Sequence, residues 1–237
     1  MSHLNVTIKS FDGATLGGYF APPGNPGPAP GIVLIQEIFG VNAVMRDMAD
    51  SLAGQGFAVV CPDLFWRQQP GVDIGDKSQA EWDQAFALFG GFDVDLGIAD
   101  LIATLDWLRA HRATTGRIGT VGYCLGGQLA YLMACRSEVD AAVGYYAVRL
   151  TEFMDEAARI TNPLLLHVAR EDEFVPGADQ DKVAAAFADN PHIALHRYDG
   201  LGHAFARPGG AHYDEAAAGL ANRRTLDFFR RHLGTKP

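Results

Sequence analysis

The sequence predicts an α/β fold in which helices cover both faces of a mostly parallel β-sheet. Strand-length apolar runs alternate with helix-length segments from residue 31 onward, which is typical of such a sheet. The run Gly31-Ile32-Val33-Leu34-Ile35 is continuously apolar, as expected of a strand covered on both faces. The chain has 237 residues without an internal repeat or a long linker, which favours a single domain over residues 1–237.

The chain opens with a predicted antiparallel hairpin. Residues 5–10 and 15–21 flank Asp12-Gly13, a pair that is typical of a tight hairpin turn. The segment at 21–30 is rich in proline and glycine, which indicates a stiff surface connection between strands.

After this connection, strands and helices alternate. Apolar runs bounded by turn residues predict strands at 31–35, 57–61, 117–123, 141–146, 163–169 and 193–198. Periodic segments predict helices at 42–53, 78–89, 93–110, 128–134 and 214–231, and they place 183–188 in a further helix. Ligands of such sheets bind outside the carboxyl ends of the strands, so the polar residues that follow each strand are the candidates for function.

Composition and charge exclude several classes of function. The formal net charge is −9, which argues against nucleic acid or an anionic membrane as a partner. No apolar run approaches the ~18–20 residues of a membrane span, and the N-terminus lacks the apolar stretch of a signal peptide. We therefore expect a cytoplasmic monomer that acts on a small molecule.

The three cysteines, Cys61, Cys124 and Cys135, form no C-x-x-C pair. An odd, low count without framework spacing argues against a disulfide scaffold, and the lack of a C-x-x-C pair argues against a zinc or redox site. We expect no cofactor and no metal. Cys61 and Cys135 are expected to be packed in the core, as most free cysteines are.

Gly122-Tyr123-Cys124-Leu125-Gly126 is the most informative stretch of the chain. It is the thiol version of the G-x-S-x-G turn, which presents a nucleophile between a strand and a helix. A Cβ two residues to either side of the cysteine would collide with neighbouring backbone, hence the glycines. The partial positive charge of a helix N-terminus favours a thiolate. We interpret Cys124 as a nucleophile; the alternative is a buried structural cysteine.

Two further strands end in residues that could complete a catalytic site. The strand at 163–169 is followed by an acidic cluster, and the strand at 193–198 by a glycine-rich loop with a histidine. The order nucleophile, acid, histidine is that of α/β-hydrolases. A neutral imidazole can take the proton of a thiol while a carboxylate fixes its tautomer. We assign these roles to His203 and Asp172; the alternatives are a surface loop histidine and the neighbouring Glu171 and Glu173.

The other histidines are expected to have structural or solvated positions. His167 and His196 lie inside predicted strands, where a histidine usually belongs to the core or the surface. His212, like the remaining ones, is expected to be solvated.

A fourth strand end carries Glu37 and Ile38. By position alone, Glu37 is as consistent with a solvated strand-end carboxylate as with a functional one. The backbone N–H groups of Ile38 and Leu125 could together form an oxyanion hole, one from each of two loops.

Six sequence runs, in order over nearly the whole chain, make this sequence resemble the dienelactone hydrolase family of α/β-hydrolases. The runs are Gln36-Glu37-Ile38-Phe39-Gly40-Val41-Asn42, Cys61-Pro62-Asp63-Leu64, Val121-Gly122-Tyr123-Cys124-Leu125-Gly126-Gly127, Val143-Gly144-Tyr145-Tyr146, Asp172-Glu173-Phe174-Val175-Pro176 and Gly202-His203-Ala204-Phe205-Ala206-Arg207.

The resemblance implies a triad of Cys124, Asp172 and His203. It also implies that Glu37 is hydrogen-bonded to the resting thiol and takes its proton when substrate arrives. Arg207 matches a family arginine that grips a substrate carboxylate, for which bidentate pairing gives the reason; the alternative is a solvated surface arginine. Family substrates are small unsaturated lactones with a free carboxylate, which are opened to maleylacetate through a thioester.

The chain departs from the family pattern in the helix predicted at 78–89. Well-known members supply a second arginine and a tyrosine to the substrate carboxylate from this helix, and those positions hold Trp82 and Phe86 here. We therefore expect a more apolar substrate pocket, which includes Tyr145 from the matching run at 143–146. An aromatic stripe at helical spacing is, however, more often part of the core.

The predicted function is hydrolysis of a small enol-lactone or ester through a thioester on Cys124, as in the conversion of carboxymethylenebutenolide to maleylacetate. One alternative is a related cysteine carboxylesterase that acts on a more apolar ester. A second is a binding protein without catalytic activity, against which the presence of Cys124, Asp172, His203 and Glu37 together argues.

Overall fold

The computed structural model describes residues 3–234. The chain forms two compact units, and the boundary between them follows Gly119. Among the described residues, no helix combines the length and the apolar character that a membrane crossing requires. Over the same range, no group of three or more His, Cys, Asp or Glu side chains is arranged to hold a metal ion.

The first unit contains four strands in the order β1-β2-β4-β3. β1 pairs with β2 and β2 with β4 in antiparallel fashion, whereas β3 and β4 are parallel. The predicted opening hairpin is thereby confirmed. The strands are β1 (Val6–Lys9), β2 (Thr15–Ala21), β3 (Ala29–Ile35) and β4 (Ala58–Pro62), and the helices are α1 (Ala43–Gly54), α2 (Gln79–Gly90) and α3 (Val94–Ala110).

In the second unit, β6, β7 and β8 are neighbours in that order and all run parallel. β5 (Thr114–Tyr123) leads into this unit. Its other elements are α4 (Leu125–Arg136), β6 (Ala141–Tyr145), β7 (Leu164–Ala169), α5 (Gly177–Phe187), β8 (Ile193–Tyr198) and α6 (Glu215–Leu233), with two short 3₁₀ helices at Leu150–Glu152 and Met154–Arg159.

The starts predicted for α1, α2, α3 and α6 precede the observed ones by a single residue, the N-cap, whereas α4 begins at Leu125, three residues before the predicted 128. Asn42, Ser78, Asp93 and Asp214 each accept a hydrogen bond from a backbone N–H in the first turn of the helix that follows. Such side chains satisfy donors that have no partner inside the helix. Ser78 and Glu81 form a reciprocal capping box at the start of α2.

α4 is the central helix of the second unit. It is buried continuously from Leu125 to Cys135, as expected of a helix that is apolar all round. β3 is likewise buried at all seven positions, as its continuous apolar run predicts. A fully packed helix has a fixed position, and so does the residue at its N-terminus, Cys124.

Candidate active site

Cys124 occupies a strained turn between β5 and α4. Its φ of 56° and ψ of −115° are unusual for a residue with a Cβ and cost roughly 1–3 kcal/mol. A Cβ at Gly122 would lie 1.9 Å from the carbonyl oxygen of Gly126, so this position requires glycine. The backbone N–H of Cys124 donates to the carbonyl of Tyr145 at 3.1 Å. Neighbouring backbone thus holds the turn in its strained form.

The thiol of Cys124 differs from the other two in its surroundings. Cys61 and Cys135 are buried, whereas Cys124 is partly exposed. Burial raises the pKa of Cys61 strongly and that of Cys135 to about 11, so both remain neutral thiols. Cys124 caps α4, and the N–H of Leu125, the first residue of that helix, has no acceptor within the helix. This end of α4 therefore carries partial positive charge next to the sulfur.

Asp172 lies in the loop after β7 and contacts the ring of His203. Its Oδ2 is 2.8 Å from His203 Nδ1, and its Oδ1 accepts from the backbone N–H of Phe174 at 2.9 Å. Asp172 is buried, whereas Glu171 and Glu173 are exposed. Of the three predicted candidates, Asp172 is thus the residue that meets the imidazole.

His203 is buried and links Asp172 to Cys124. Its side chain hydrogen bonds to Asp172 and lies close enough to Cys124 for the charge of the sulfur to act on it, and the rings of Tyr146 and Phe174 pack edge-on against it, with centroids at 5.0 and 4.8 Å. The structure therefore brings together the three residues that the sequence assigns to nucleophile, base and acid. The alternative of a surface loop histidine is wrong.

Opposing effects set the pKa of His203. Burial alone would lower it, but the charge of Cys124 and hydrogen bonds to Asp172 and Cys124 outweigh burial and raise the pKa to about 10. An imidazolium is therefore favoured as long as the sulfur beside it is a thiolate.

Tyr145 is fully buried behind this site. Its hydroxyl donates to Asn222 Oδ1 at 3.0 Å and lies 2.6 Å from Thr225 Oγ1. Its carbonyl oxygen is the acceptor for Cys124. Contact between Tyr145 and substrate stays a prediction, but the side chain already has internal partners and its carbonyl supports the nucleophile.

Arg207 lies in the same loop as His203, and its side chain is buried, with 5% of the residue exposed. Its backbone N–H donates to Ala204 at 3.0 Å. The alternative of a solvated surface arginine is therefore wrong. A guanidinium in a buried position is a strong group for binding an anion.

The remaining predicted residues belong to the first unit. Glu37 and Ile38 follow β3 and are both buried, so Glu37 is not a solvated carboxylate. The segment is held by Gln36, whose Oε1 accepts from the N–H of Leu64 at 3.1 Å and whose Nε2 donates to the Glu37 carbonyl at 3.3 Å.

Trp82 and Phe86 form an aromatic surface on α2. Trp82 is half-buried, donates from Nε1 to the carbonyl of Asp76 at 3.1 Å, and packs edge-on against Phe39. Phe86 stacks near Trp82 with a centroid distance of 5.6 Å and is 44% exposed. The core interpretation of this stripe is therefore wrong for Phe86; the residues that α2 buries are Ala85 and Leu88.

The model of the dienelactone hydrolase family matches residues 16–233. The chain belongs to the dienelactone hydrolase family. It is 50% identical over 231 residues to a protein of Azospirillum brasilense named "Putative carboxymethylenebutenolidase", with 97% of this chain and 99% of that protein covered. It is 41% identical over 232 residues to a carboxymethylenebutenolidase of Pseudomonas putida, with 98% of each chain covered.

A solved structure supports the same assignment. A Klebsiella pneumoniae protein, described as a "Putative Dienelactone Hydrolase", matches with a TM-score of 0.84 and 27% identity over 95% of this chain and 97% of that one. The predicted α/β-hydrolase fold is confirmed, and the chain is a hydrolase of the dienelactone hydrolase type.

Sequence reasoning missed two residues next to His203. Glu173 accepts from its backbone N–H, and His212 contacts its carbonyl oxygen. Glu173 belongs to the acidic cluster from which Asp172 was assigned, whereas no motif marks His212.

Proposed function

We propose that this member of the family hydrolyses small lactones or esters through a thioester on Cys124. The proposal is supported by the hydrogen bond between His203 and Asp172 and by the position of Cys124 beside that histidine, at the N-terminus of the buried helix α4. The same types of residue, in the same order, activate nucleophiles in other hydrolases.

In the acylation step, the thiolate of Cys124 attacks the carbonyl carbon of the substrate. The backbone N–H groups of Leu125 and Ile38, one from each of two loops, would stabilise the oxyanion. As the tetrahedral intermediate collapses, the bond to the leaving oxygen breaks and the His203 imidazolium gives its proton to that oxygen. The products are a thioester and a neutral imidazole.

In the deacylation step, His203 acts as the base. Acylation removes the charge of the sulfur, which contributes more than any other group to the raised pKa of His203. The pKa then falls, because burial still lowers it. The neutral ring takes a proton from the attacking water, and the thiolate of Cys124 leaves as the acid forms. The histidine is thus an acid while sulfur is charged and a base while it is acylated.

Two further residues have roles that rest on the family resemblance. Glu37 would accept the proton of the resting thiol when substrate arrives and pass it to the neutral His203, so that the thiolate and the imidazolium needed for acylation form only when substrate is present; such gating limits oxidation of the sulfur. Arg207 would bind a substrate carboxylate, and its burial supports this role because a desolvated guanidinium binds an anion more strongly.

A more apolar ester is the second candidate substrate. α2 carries neither Lys nor Arg and presents the exposed ring of Phe86 beside Trp82. A site with one cation binds a carboxylate less strongly than a site with two, by about 1.5–3 kcal/mol for one lost charged hydrogen bond. These observations favour neutral esters with an apolar group.

The deciding experiment compares kcat/KM for cis- and trans-dienelactone with that for p-nitrophenyl acetate. Cys124→Ala should lower every value by more than about 10³-fold, because the nucleophile is lost. Cys61→Ala serves as the matched thiol control. Turnover that survives in Cys124→Ala would refute the mechanism. The ratio between the substrates then separates a dienelactone hydrolase from an esterase.

A further inference from the structure

The backbone of His203 is held on both sides by two side chains without an assigned role. Its N–H donates to Glu173 Oε2 at 3.4 Å, and its carbonyl oxygen lies 3.0 Å from His212 Nδ1. Since a carbonyl oxygen can only accept, Nδ1 of His212 must carry the proton in this contact. Glu173 Oε1 is in turn 3.7 Å from that same nitrogen. The side chains of Glu173 and His212 therefore contact the peptide groups on both sides of His203 and also face each other.

The loop that carries His203 needs such support. It joins β8 to α6 without regular structure of its own, and Ala204, next to the histidine, has a φ of 60°. A non-glycine residue in this region is strained and persists only where its surroundings hold it. The backbone N–H groups of Glu171, Arg207 and Asp214 donate to Leu201, Ala204 and Phe205 at 2.9, 3.0 and 3.0 Å and hold other parts of the loop. None of these bonds involves the peptide N–H or C=O of His203.

Gly202 allows His212 to approach this backbone. A Cβ at Gly202 would lie 3.2 Å from Nδ1 of His212, closer than most side chains tolerate. The glycine that precedes the histidine therefore admits the ring of His212 against the loop.

Neither His212 nor Glu173 belongs to the core of the protein. The side chains of His212 and Glu173 are 49% and 48% exposed, so neither contributes much apolar burial to the fold. Both nevertheless contact the residue whose imidazole must stay aligned between Asp172 and Cys124.

We propose that Glu173 and His212 are positioning residues for His203, which hold its backbone so that its ring keeps its hydrogen bond to Asp172 and its place beside Cys124. This inference rests on the proposed function, because it concerns the same site. An imidazole displaced by a fraction of an ångström loses proton-transfer efficiency but does not change how substrate binds.

The test uses three substitutions of His212 in the full-length protein. His212→Ala removes the donor, and kcat for p-nitrophenyl acetate should fall by about 10-fold while KM stays within about twofold. His212→Asn places an amide N–H near the position of Nδ1 and should rescue most of the loss. His212→Gln carries its amide one bond further and should not. His192→Ala, at an exposed loop histidine, is the matched control and should behave as wild type.

Two further readouts distinguish positioning from a structural effect. The ¹H resonance of the Nδ1–H of His203 should move upfield in His212→Ala and return in His212→Asn, while the melting temperature changes by less than about 3 °C. Glu173→Gln, which keeps an acceptor for the N–H of His203 but loses the charge facing His212, should fall between wild type and His212→Ala in kcat.

Several outcomes would overturn the inference. Unchanged kcat in His212→Ala would do so, as would equal losses in the Asn and Ala variants or an effect on KM alone. If the wild type shows no turnover that depends on Cys124, the proposed function fails. The Nδ1–H resonance still tests the contact between His212 and His203 in that case, so the two failures are distinguishable.

Discussion

At the scale of single residues, the protonation of His203 depends on the charge next to it. Cys124 contributes most to raising its pKa, against a burial effect of opposite sign. Cys124→Ala should therefore lower the pKa of His203 from about 10 toward or below the ordinary value of 6.5. An NMR titration of the His203 ring protons measures this change directly.

Cys124→Ser is the matched control for this prediction. Serine keeps a hydrogen-bonding group beside the imidazole but remains uncharged in this pH range, so its effect should resemble that of alanine. If the pKa of His203 stayed near its wild-type value in both variants, Asp172 alone would set the protonation of His203. Acylation of Cys124 would then not lower that pKa, and the proposed change of His203 from acid to base would have no explanation.

Substitution of Arg207 tests whether this residue binds a carboxylate of the substrate. Arg207→Ala should reduce kcat/KM for a carboxylated lactone by about 10–100-fold, as expected for the loss of one charged hydrogen bond. The value for a neutral ester should stay within about threefold. Arg207→Lys, which keeps the charge but loses bidentate geometry, should be intermediate. Equal losses on both substrates would instead mean that Arg207 supports the fold.

The sequence predicts some residues of the candidate site but not the surroundings of others. Cys124, Asp172 and His203 could be found because each follows a strand whose apolar run is evident, and parallel strands bring such positions to one edge. The burial of Tyr145 could not be found in this way, because it depends on Thr225 and Asn222, which lie far along the chain.

At the scale of elements, the turn between β5 and α4 tolerates no side chain at Gly122. A Cβ there would meet backbone atoms of Gly126, which cannot move without shifting the start of α4. Gly122→Ala should therefore lower the free energy of unfolding by about 3 kcal/mol or more and abolish activity. Urea denaturation measures the first effect.

Gly90→Ala provides the matched control for this substitution. Gly90 ends α2, and a Cβ there would meet nothing within 4 Å. The free energy of unfolding of Gly90→Ala should stay within about 1 kcal/mol of that of the wild type. If Gly122→Ala were as stable as Gly90→Ala, the turn would have to be more adaptable than the contact with Gly126 implies.

The elements themselves were predictable where a local signal marks them. Helix starts could be placed because Asn42, Ser78 and Asp93 are good N-caps. The two 3₁₀ helices at Leu150–Glu152 and Met154–Arg159 were not predicted, since they are too short to show a hydrophobic period. The exposure of Phe86 was missed for a different reason: helical spacing shows that aromatic residues share a face but not whether another element covers it.

At the scale of the whole molecule, the stability of the folded protein at low pH depends on His167, which is buried in its neutral form. His167 in β7 is fully buried, with Nδ1 2.8 Å from the hydroxyl of Tyr198 in β8 and Nε2 3.0 Å from Thr225 in α6. Arg224 donates to the oxygen of Tyr198 at 3.1 Å, and the Tyr145 hydroxyl lies 2.6 Å from Thr225. One buried network thus connects β6, β7, β8 and α6.

Burial lowers the pKa of His167 well below its ordinary value of 6.5. As pH falls below 6.5, the unfolded chain takes up this proton while the folded protein does not. The free energy of unfolding should therefore decrease as pH falls from about 6.5 to 5, with a slope of up to about 1.4 kcal/mol per pH unit from this residue. Asp63 acts in the opposite direction, because burial raises its pKa to about 6 and the folded protein binds that proton more tightly than the unfolded chain does.

His167→Gln separates the contributions of His167 and Asp63 to the pH dependence of the free energy of unfolding, since it leaves Asp63 in place. The variant should be less stable than wild type at pH 7, because one amide cannot serve both Tyr198 and Thr225, yet the difference should shrink as pH falls to 5. Urea denaturation at both pH values measures it, with His192→Gln as the exposed control that should follow wild type. A constant difference between wild type and His167→Gln would mean that the folded protein accommodates a charged His167, and acid sensitivity would then have to arise at another residue.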